Sequence, residues 1–279
     1  MSTVTENIAN LPPLGKLVHE ADLSAKKSLG QNFLFDLNLT GKIARTAAPL
    51  NRTVLEIGPG PGGLTRALLM EDAPKVIAVE KDKRVTGFLQ HLTDAAQGRL
   101  ELIQADALEL ELSALTSDRL DIIANLPYNI ATPLLISFLR QADYISNMVL
   151  MFQREVALRI TAQAGEPSYG RLAVITAWRA QAEFCFDVPA EAFTPAPKVT
   201  SSIVRITPLP QPLSPCRMSD LEAVTQIAFG QRRKMLRASF KRFGGEKMLK
   251  ELNIDPSLRP QDLPVSDFCN LALHLSDRL

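Results

Sequence analysis

The run Val54-Leu55-Glu56-Ile57 passes into Gly58-Pro59-Gly60-Pro61-Gly62-Gly63 and then into Leu64-Thr65. Glycines at such a place let a ligand approach the backbone, and the helix expected next offers free N–H groups and the positive end of its dipole. Gly58, Gly60 and Gly63 satisfy G-x-G-x-x-G, and Glu80 stands 22 residues after Gly58, at the end of the next apolar run. On that pattern a dehydrogenase binding a dinucleotide is one reading, with Glu80 on the ribose hydroxyls. An adenosyl ligand would use the same carboxylate, and a plain glycine turn in a generic α/β sheet is a third reading. Glu56, two residues ahead of the first glycine, completes E-x-G-x-G-x-G, the pattern typical of S-adenosylmethionine enzymes. Leu102-Ile103-Gln104-Ala105-Asp106-Ala107 adds an acid just past a third apolar run, where Asp106 can accept a hydrogen bond from an adenine amino group. Any one of these could be an ordinary turn carboxylate. Together, Glu56, Glu80 and Asp106 favour adenosine joined to a cationic amino acid over a pyrophosphate.

A fourth apolar run ends in Asn125-Leu126-Pro127-Tyr128. The Asn125 side-chain oxygen and a carbonyl of Leu126 or Pro127 can both accept hydrogen bonds from an exocyclic amino group on a base. Those bonds draw the nitrogen lone pair out of ring conjugation and aim it at an electrophilic methyl. Pro127 stiffens the turn, and Tyr128 can stack on a base turned out of its helix or loop. Transfer is then an in-line displacement governed by positioning. No strong base is required, because the methylated amine becomes acidic once it carries a positive charge. An Asn-x-Pro-Tyr turn can also arise in a loop without any such role. The three histidines (His19, His91 and His274) form no cluster, so neither a metal site nor a catalytic triad is expected.

These blocks, in this order, resemble the small-subunit ribosomal RNA adenine N6,N6-dimethyltransferases of bacterial type. The resemblance runs from Lys26 onward, beginning with Leu29-Gly30-Gln31-Asn32-Phe33-Leu34. After the blocks above it continues through Tyr169-Gly170-Arg171-Leu172, Phe193-Thr194-Pro195-Ala196-Pro197-Lys198-Val199 and Arg232-Arg233-Lys234-Met235-Leu236-Arg237. It implies that Asn32 and Leu34 join Glu56, Gly58, Gly60, Glu80, Asp106, Ala107 and Asn125 in holding S-adenosylmethionine. It also implies that Phe193 stacks on the target adenine opposite Tyr128, and that Lys198 meets RNA. The implied activity is dimethylation of two adjacent adenosines in the 3′-terminal hairpin loop of small-subunit rRNA, with a role in small-subunit biogenesis. The competing readings are an antibiotic-resistance methyltransferase of large-subunit rRNA and a non-catalytic assembly or transcription factor on the same scaffold. By residue type alone, Phe33, Leu34 and Trp178 could simply be core. Phe193, between polar residues and prolines, reads as exposed in a loop.

Chemistry at these points needs strands to deliver it. Thr53–Ile57, Val76–Val79, Leu100–Ile103, Asp121–Ala124 and Met148–Phe152 are short, nearly continuous apolar runs, as strands of a covered parallel sheet should be. Leu64–Met70, Lys83–Leu92 and Pro133–Arg140 supply helices between them, the last with Thr132 as N-cap and Pro133 in its first turn. The alternation predicts right-handed crossovers and a doubly wound, Rossmann-like α/β sheet. Arg171–Trp178 and Val199–Ile206 read as later strands forming an antiparallel edge. Thr207–Pro215, with four prolines, reads as a semi-rigid linker, followed by a helix opened by a Ser219/Glu222 capping box and ended at Gly244–Gly245. The expected organisation is an N-terminal extension (1–25) of open role, a methyltransferase domain (26–209) and a C-terminal helical RNA-binding domain (210–279).

Composition adds bounds. The chain has 279 residues, 46% hydrophobic and 22% charged, with 14 glycines and 19 prolines, which excludes disordered and collagen-like classes. No apolar run reaches the roughly 18 residues needed to span a bilayer, and residues 1–10 do not resemble an export signal. Cys185, Cys216 and Cys269 are scattered and read as reduced thiols of a cytoplasmic protein, expected to be a monomer. The net charge of +1 hides eight basic residues between Arg232 and Lys250 against one acid, Glu246. Arg232–Arg242 reads as a helix carrying Arg232, Arg233, Lys234, Arg237 and Lys241 toward RNA phosphates, with Leu236, Phe240 and Phe243 facing the first domain. The alternative is a merely solvated face.

Overall fold

A computed structural model describes residues 3–25 and 30–278. The chain divides into two compact units, residues 1–157 with 183–207 and residues 158–182 with 208–279. Leu29, the first residue of the Leu29–Leu34 block, lies outside the described residues.

The first unit opens with two short helices, α1 (Val4–Ala9) and α2 (Leu14–Glu20), then β1 (Phe33–Leu34) and α3 (Leu37–Thr46). The sheet follows with β2 (Val54–Ile57), α4 (Gly63–Met70), β3 (Val76–Glu80), α5 (Lys83–Phe88), α6 (Gln90–Ala95), β4 (Leu100–Gln104) and β5 (Leu120–Asn125). It continues through α7 (Ala131–Arg140) and β6 (Ile145–Gln153) to α8 (Arg154–Thr161), whose residues from 158 on belong to the second unit. Its strand order is β4-β3-β2-β5-β6, all parallel, extended by β9 (Ser201–Pro208) antiparallel to β6 and by β7 (Ala180–Val188) at the edge. β8 (Phe193–Thr194) pairs with β1 in a separate antiparallel ribbon. The central strands β2 and β3 are buried along their whole length, which is why they read as unbroken apolar runs. The five expected parallel strands are all present.

Several local expectations give way to tertiary packing. Arg171–Trp178, expected as a strand, lies in helix α9 (Arg171–Arg179) of the second unit, where Ala173 to Thr176 and Trp178 are buried. A short, nearly continuous apolar run such as Leu172–Ile175 carries no period to separate helix from strand. The edge role falls instead to β7. The single helix expected over Lys83–Leu92 is broken at Leu89. There His91 Nδ1 faces the Phe88 carbonyl at 2.7 Å, while the Leu92 N–H, which an unbroken helix would send there, bonds Leu89 instead. Thr132 is not an N-cap, since α7 starts one residue earlier behind Ile130. Ser219 does not open its helix either: α10 (Met218–Phe229) begins behind Arg217, whose guanidinium pairs with Asp220 at 2.8 Å.

The second unit is larger than the expected 210–279, because 158–182 joins the C-terminal helices. The proline-rich stretch is also no free linker. Leu209 and Leu213 N–H groups bond the Arg179 and Trp178 carbonyls at the end of α9, at 2.8 Å each. Arg232–Arg242 is not one helix. A turn leads to α11 (Leu236–Ser239) and a 3₁₀ turn at Lys241–Phe243, with Gly244 at φ 113° before α12 (Gly245–Glu251). The break has a cause: Leu236 and Arg237 N–H groups bond the Leu258 and Pro256 carbonyls instead of a preceding helical turn. Leu236, Phe240 and Phe243 are buried in this unit's own core, with Val224 on α10 and Phe268 on α13 (Val265–Leu275), rather than facing the first domain. Among the described residues no helix is long and apolar enough to cross a membrane.

Candidate active site

The parallel register brings the C-terminal ends of β2, β3 and β5 side by side, and a cleft opens there. Its wall comprises Gly30 to Leu34, Glu56, the turn from Gly58 to Gly63, Glu80, Lys81 and Asn125 to Tyr128. Two glycines of the turn are dictated by geometry. Gly60 has φ +53° beside the Phe33 ring, and a Cβ on Gly63 would lie 2.3 Å from the Leu34 carbonyl oxygen. Only a bare backbone lets the N-terminus of α4 come this close to β1.

Glu56 is 1% exposed, and Thr65 Oγ1 in the first turn of α4 donates to its Oε2 at 2.7 Å. Burial pushes the Glu56 carboxyl up to about 8 despite that bond. Glu80 is also buried and raised by desolvation, and its Oε1 accepts the Asp82 N–H at 2.8 Å. Asp106 is a different kind of acid. Lys81 Nζ donates to its Oδ2 at 2.7 Å and holds it below the usual carboxylate range, while its Oδ1 caps the Leu108 N–H at 3.0 Å. Asp106 and Ala107 are not part of the cleft wall. Lys81 is, and it ties Asp106 to that wall.

At the end of β5, Asn125 Nδ2 donates to the Asn32 backbone carbonyl at 3.3 Å, which leaves Oδ1 as the acceptor of that amide. The Pro127 carbonyl accepts the Ile130 N–H at 3.1 Å, closing the turn. Tyr128 is half-buried, and its phenol is hydrogen-bonded to Ser201, a fully buried residue at the start of β9. Burial raises the phenol's pKa.

The structure thus gathers Asn32, Leu34, Glu56, Gly58, Gly60, Glu80 and Asn125 to Tyr128 around one cleft. Like Asp106 and Ala107, Phe193 lies outside its wall. It is 3% exposed in the core of the first unit and pairs in register with Leu34, so the exposed loop position expected for it is replaced by a place beside β1. Lys81 and Ser201 were missed. Lys81 directly follows Glu80, a signal that was available, whereas nothing local marks Ser201. Arg232, Arg233, Lys234, Arg237, Lys241 and Lys198 are all exposed. Arg232 Nη2 donates to the Pro167 carbonyl at 2.6 Å, and Arg237 lies 4.0 Å from Glu246. No group of three potential metal ligands occurs among the described residues.

A parallel sheet of this order, closed by an antiparallel edge and followed after β5 by a proline-stiffened Asn–Tyr turn, puts the molecule among the Rossmann-like methyltransferases. Residues 22–277 match the ribosomal RNA adenine dimethylase family, and the chain belongs to it. It is 53% identical over 264 residues to the ribosomal RNA small subunit methyltransferase A of Rhodospirillum rubrum, covering 94% of this chain and 92% of that one. The same-named protein of Agrobacterium fabrum is 52% identical over 271 residues, covering 95% and 98%. Among solved structures, a dimethyladenosine transferase from Plasmodium falciparum superposes with TM-score 0.75 at 26% identity, covering 88% of this chain and 98% of that one. The 23S rRNA methyltransferase ErmE gives 0.67, also at 26% identity, covering 88% and 100%. The dehydrogenase reading ends here.

Proposed function

We propose that this enzyme uses S-adenosylmethionine to dimethylate N6 of two adjacent adenosines in the 3′-terminal hairpin loop of small-subunit rRNA. It would act as a monomer on an assembling 30S particle in the cytoplasm. The observation that carries the reading is the Asn125 amide, held by the Asn32 backbone with Oδ1 as its acceptor atom, beside a glycine turn and a buried acid. That cleft suits the cofactor: Glu56, when ionised, would face its cationic amino acid and Glu80 its ribose, while Asp106, tied to the wall by Lys81, would accept a hydrogen bond from the adenine amino group. S-adenosylmethionine supplies a sulfonium methyl. Asn125 Oδ1 and the Leu126 carbonyl accept the two N6 hydrogens of the target base, the Pro127 carbonyl being engaged within its own turn. Held so, the N6 lone pair would point at that methyl, and the proton lost from N6 would pass to water. Tyr128 stacks on the extruded base through its ring, with its hydroxyl directed to Ser201. Phe193 supports this face from the strand paired with β1 rather than by touching the base. The exposed cations from Arg232 to Lys241, with Lys198, meet RNA phosphates.

The test uses separated small and large subunits from cells lacking the gene, each incubated with the protein and S-adenosylmethionine. Mass spectrometry of rRNA fragments should find N6,N6-dimethyladenosine at two adjacent positions in the 3′ hairpin. Modification of large-subunit rRNA instead, the activity named for ErmE, would refute the substrate assignment.

A further inference from the structure

Residues 3–25 precede every block with assignable chemistry, yet they are built into the first unit. Thr3 and Glu6 form a reciprocal capping box on α1, with bonds of 2.8 and 3.2 Å. Ile8, Leu14 and Leu23 are buried, and α1 packs on α4 and α6. The segment then touches both elements that shape the cofactor cleft. At the first, Leu14 Cδ2 lies 3.3 Å from where a Cβ on Gly63 would stand, so Gly63 is held between Leu14 and the Leu34 backbone. One turn along α4, Arg66 is 2% exposed, and its Nη1 donates to the Pro12 carbonyl at 2.9 Å. Its Nη2 faces His91 Nε2 at 3.4 Å, and among the described residues no carboxylate pairs with the buried guanidinium. At the second, the Arg84 guanidinium reaches the Ser24 carbonyl at 3.4 Å while forking onto Asp82 at 2.6 to 3.2 Å. The Asp82 N–H in turn donates to Glu80 Oε1.

We infer that residues 3–25 are a positioning strap for the cofactor cleft, fastened by Leu14 and Arg66 to the glycine turn and by Arg84 to the Glu80 turn. The inference rests on the cofactor reading above. A strap of this kind acts by holding Gly63 and Glu80 at fixed separation before the ligand arrives, so that less ordering is left for binding to accomplish. A buried cation facing carbonyl and imidazole partners is costly to keep, which argues that the contact to Pro12 has a use beyond stability.

The test compares two buried leucines in the full-length protein. Leu14→Ala loosens the strap, whereas Leu120→Ala makes the same truncation at the start of β5, five residues from Asn125 at the far end of the strand. Arg84→Lys keeps charge for Asp82 but lacks the fork that also reaches Ser24. Calorimetry should show S-adenosylmethionine binding weakened about 3- to 10-fold in Leu14→Ala and Arg84→Lys, the scale of one lost neutral hydrogen bond or less. Leu120→Ala should lower the melting temperature comparably to Leu14→Ala with affinity within about twofold of wild type. Wild-type affinity in both strap variants would overturn the inference, as would an equal loss in Leu120→Ala. If Leu14→Ala does not fold, the more exposed Arg84→Lys decides alone. Failure of the wild type itself to bind S-adenosylmethionine would instead bring down the cofactor reading and the strap with it.

Discussion

Glu56→Gln separates what this acid does for binding from what it does to stability. Its carboxyl titrates at about 8 in the folded protein against 4.5 when unfolded, because burial disfavours the charged form more than the Thr65 hydroxyl helps it. The folded pKa is raised, so the stability linked to this group is fully present below pH 4.5 and is lost as pH rises through 8. Between pH 4.5 and 7 that is 2.5 pH units at about 1.36 kcal/mol each, or roughly 3 kcal/mol, growing to roughly 5 above pH 8. Glutamine keeps an acceptor for Thr65 and does not titrate. The variant should therefore match wild type near pH 5 and melt higher at pH 7, by roughly 6–12 °C at about 2–4 °C per kcal/mol for a unit of this size. S-adenosylmethionine affinity should move the other way, falling about 10- to 150-fold for the loss of a charged hydrogen-bonded contact. In wild type, affinity should rise between pH 6 and 8 as the ligand draws Glu56 into its ionised form, and Glu56→Gln should lack that rise. Differential scanning calorimetry and titration calorimetry across pH 5–8.5 read both effects. Melting temperatures that run parallel with pH in the two proteins would refute the protonated, buried state of Glu56. Unchanged affinity would remove it from the cofactor site.

Three further outcomes follow from the placement of the aromatic and basic residues. Tyr128→Ala should lose stacking worth about 1–3 kcal/mol in single-turnover methylation while keeping cofactor affinity. Phe193→Ala should chiefly cost stability, about 3–5 kcal/mol for an emptied core site, visible in denaturant melts; a Phe193→Ala protein of wild-type stability but reduced turnover would restore the stacking role to Phe193. Reversing Arg233, Arg237 and Lys241 to Glu should weaken binding to the small subunit and reduce the slope of log affinity against log salt, by about one per residue that meets a phosphate. An unchanged slope would leave the cluster as a solvated face.

What the sequence determined by itself is what neighbouring residues settle among themselves. The glycine turn, the acids at the ends of β2, β3 and just past β4, and the Asn125–Tyr128 turn are contiguous blocks whose backbone demands travel with them. Short apolar runs flanked by turns identify the five parallel strands for the same reason. The tertiary structure decided everything that depends on partners distant in sequence. Arg171–Trp178 is apolar at six of its eight positions with no clear period, and only its burial in the second unit selects helix over strand. The basic stretch has helical spacing, but carbonyls at Pro256 and Leu258 capture the N–H groups that would have continued a helix. Phe193 is drawn into the core by pairing with Leu34, far earlier in the chain, and the Tyr128 phenol finds Ser201 from across the sheet. The role of residues 3–25 was likewise invisible, since Leu14 gains meaning only against Gly63. Even the charge on Glu56 was undetermined by its identity, because a carboxyl's protonation is set by the solvent it loses, and that loss is a property of the packed fold.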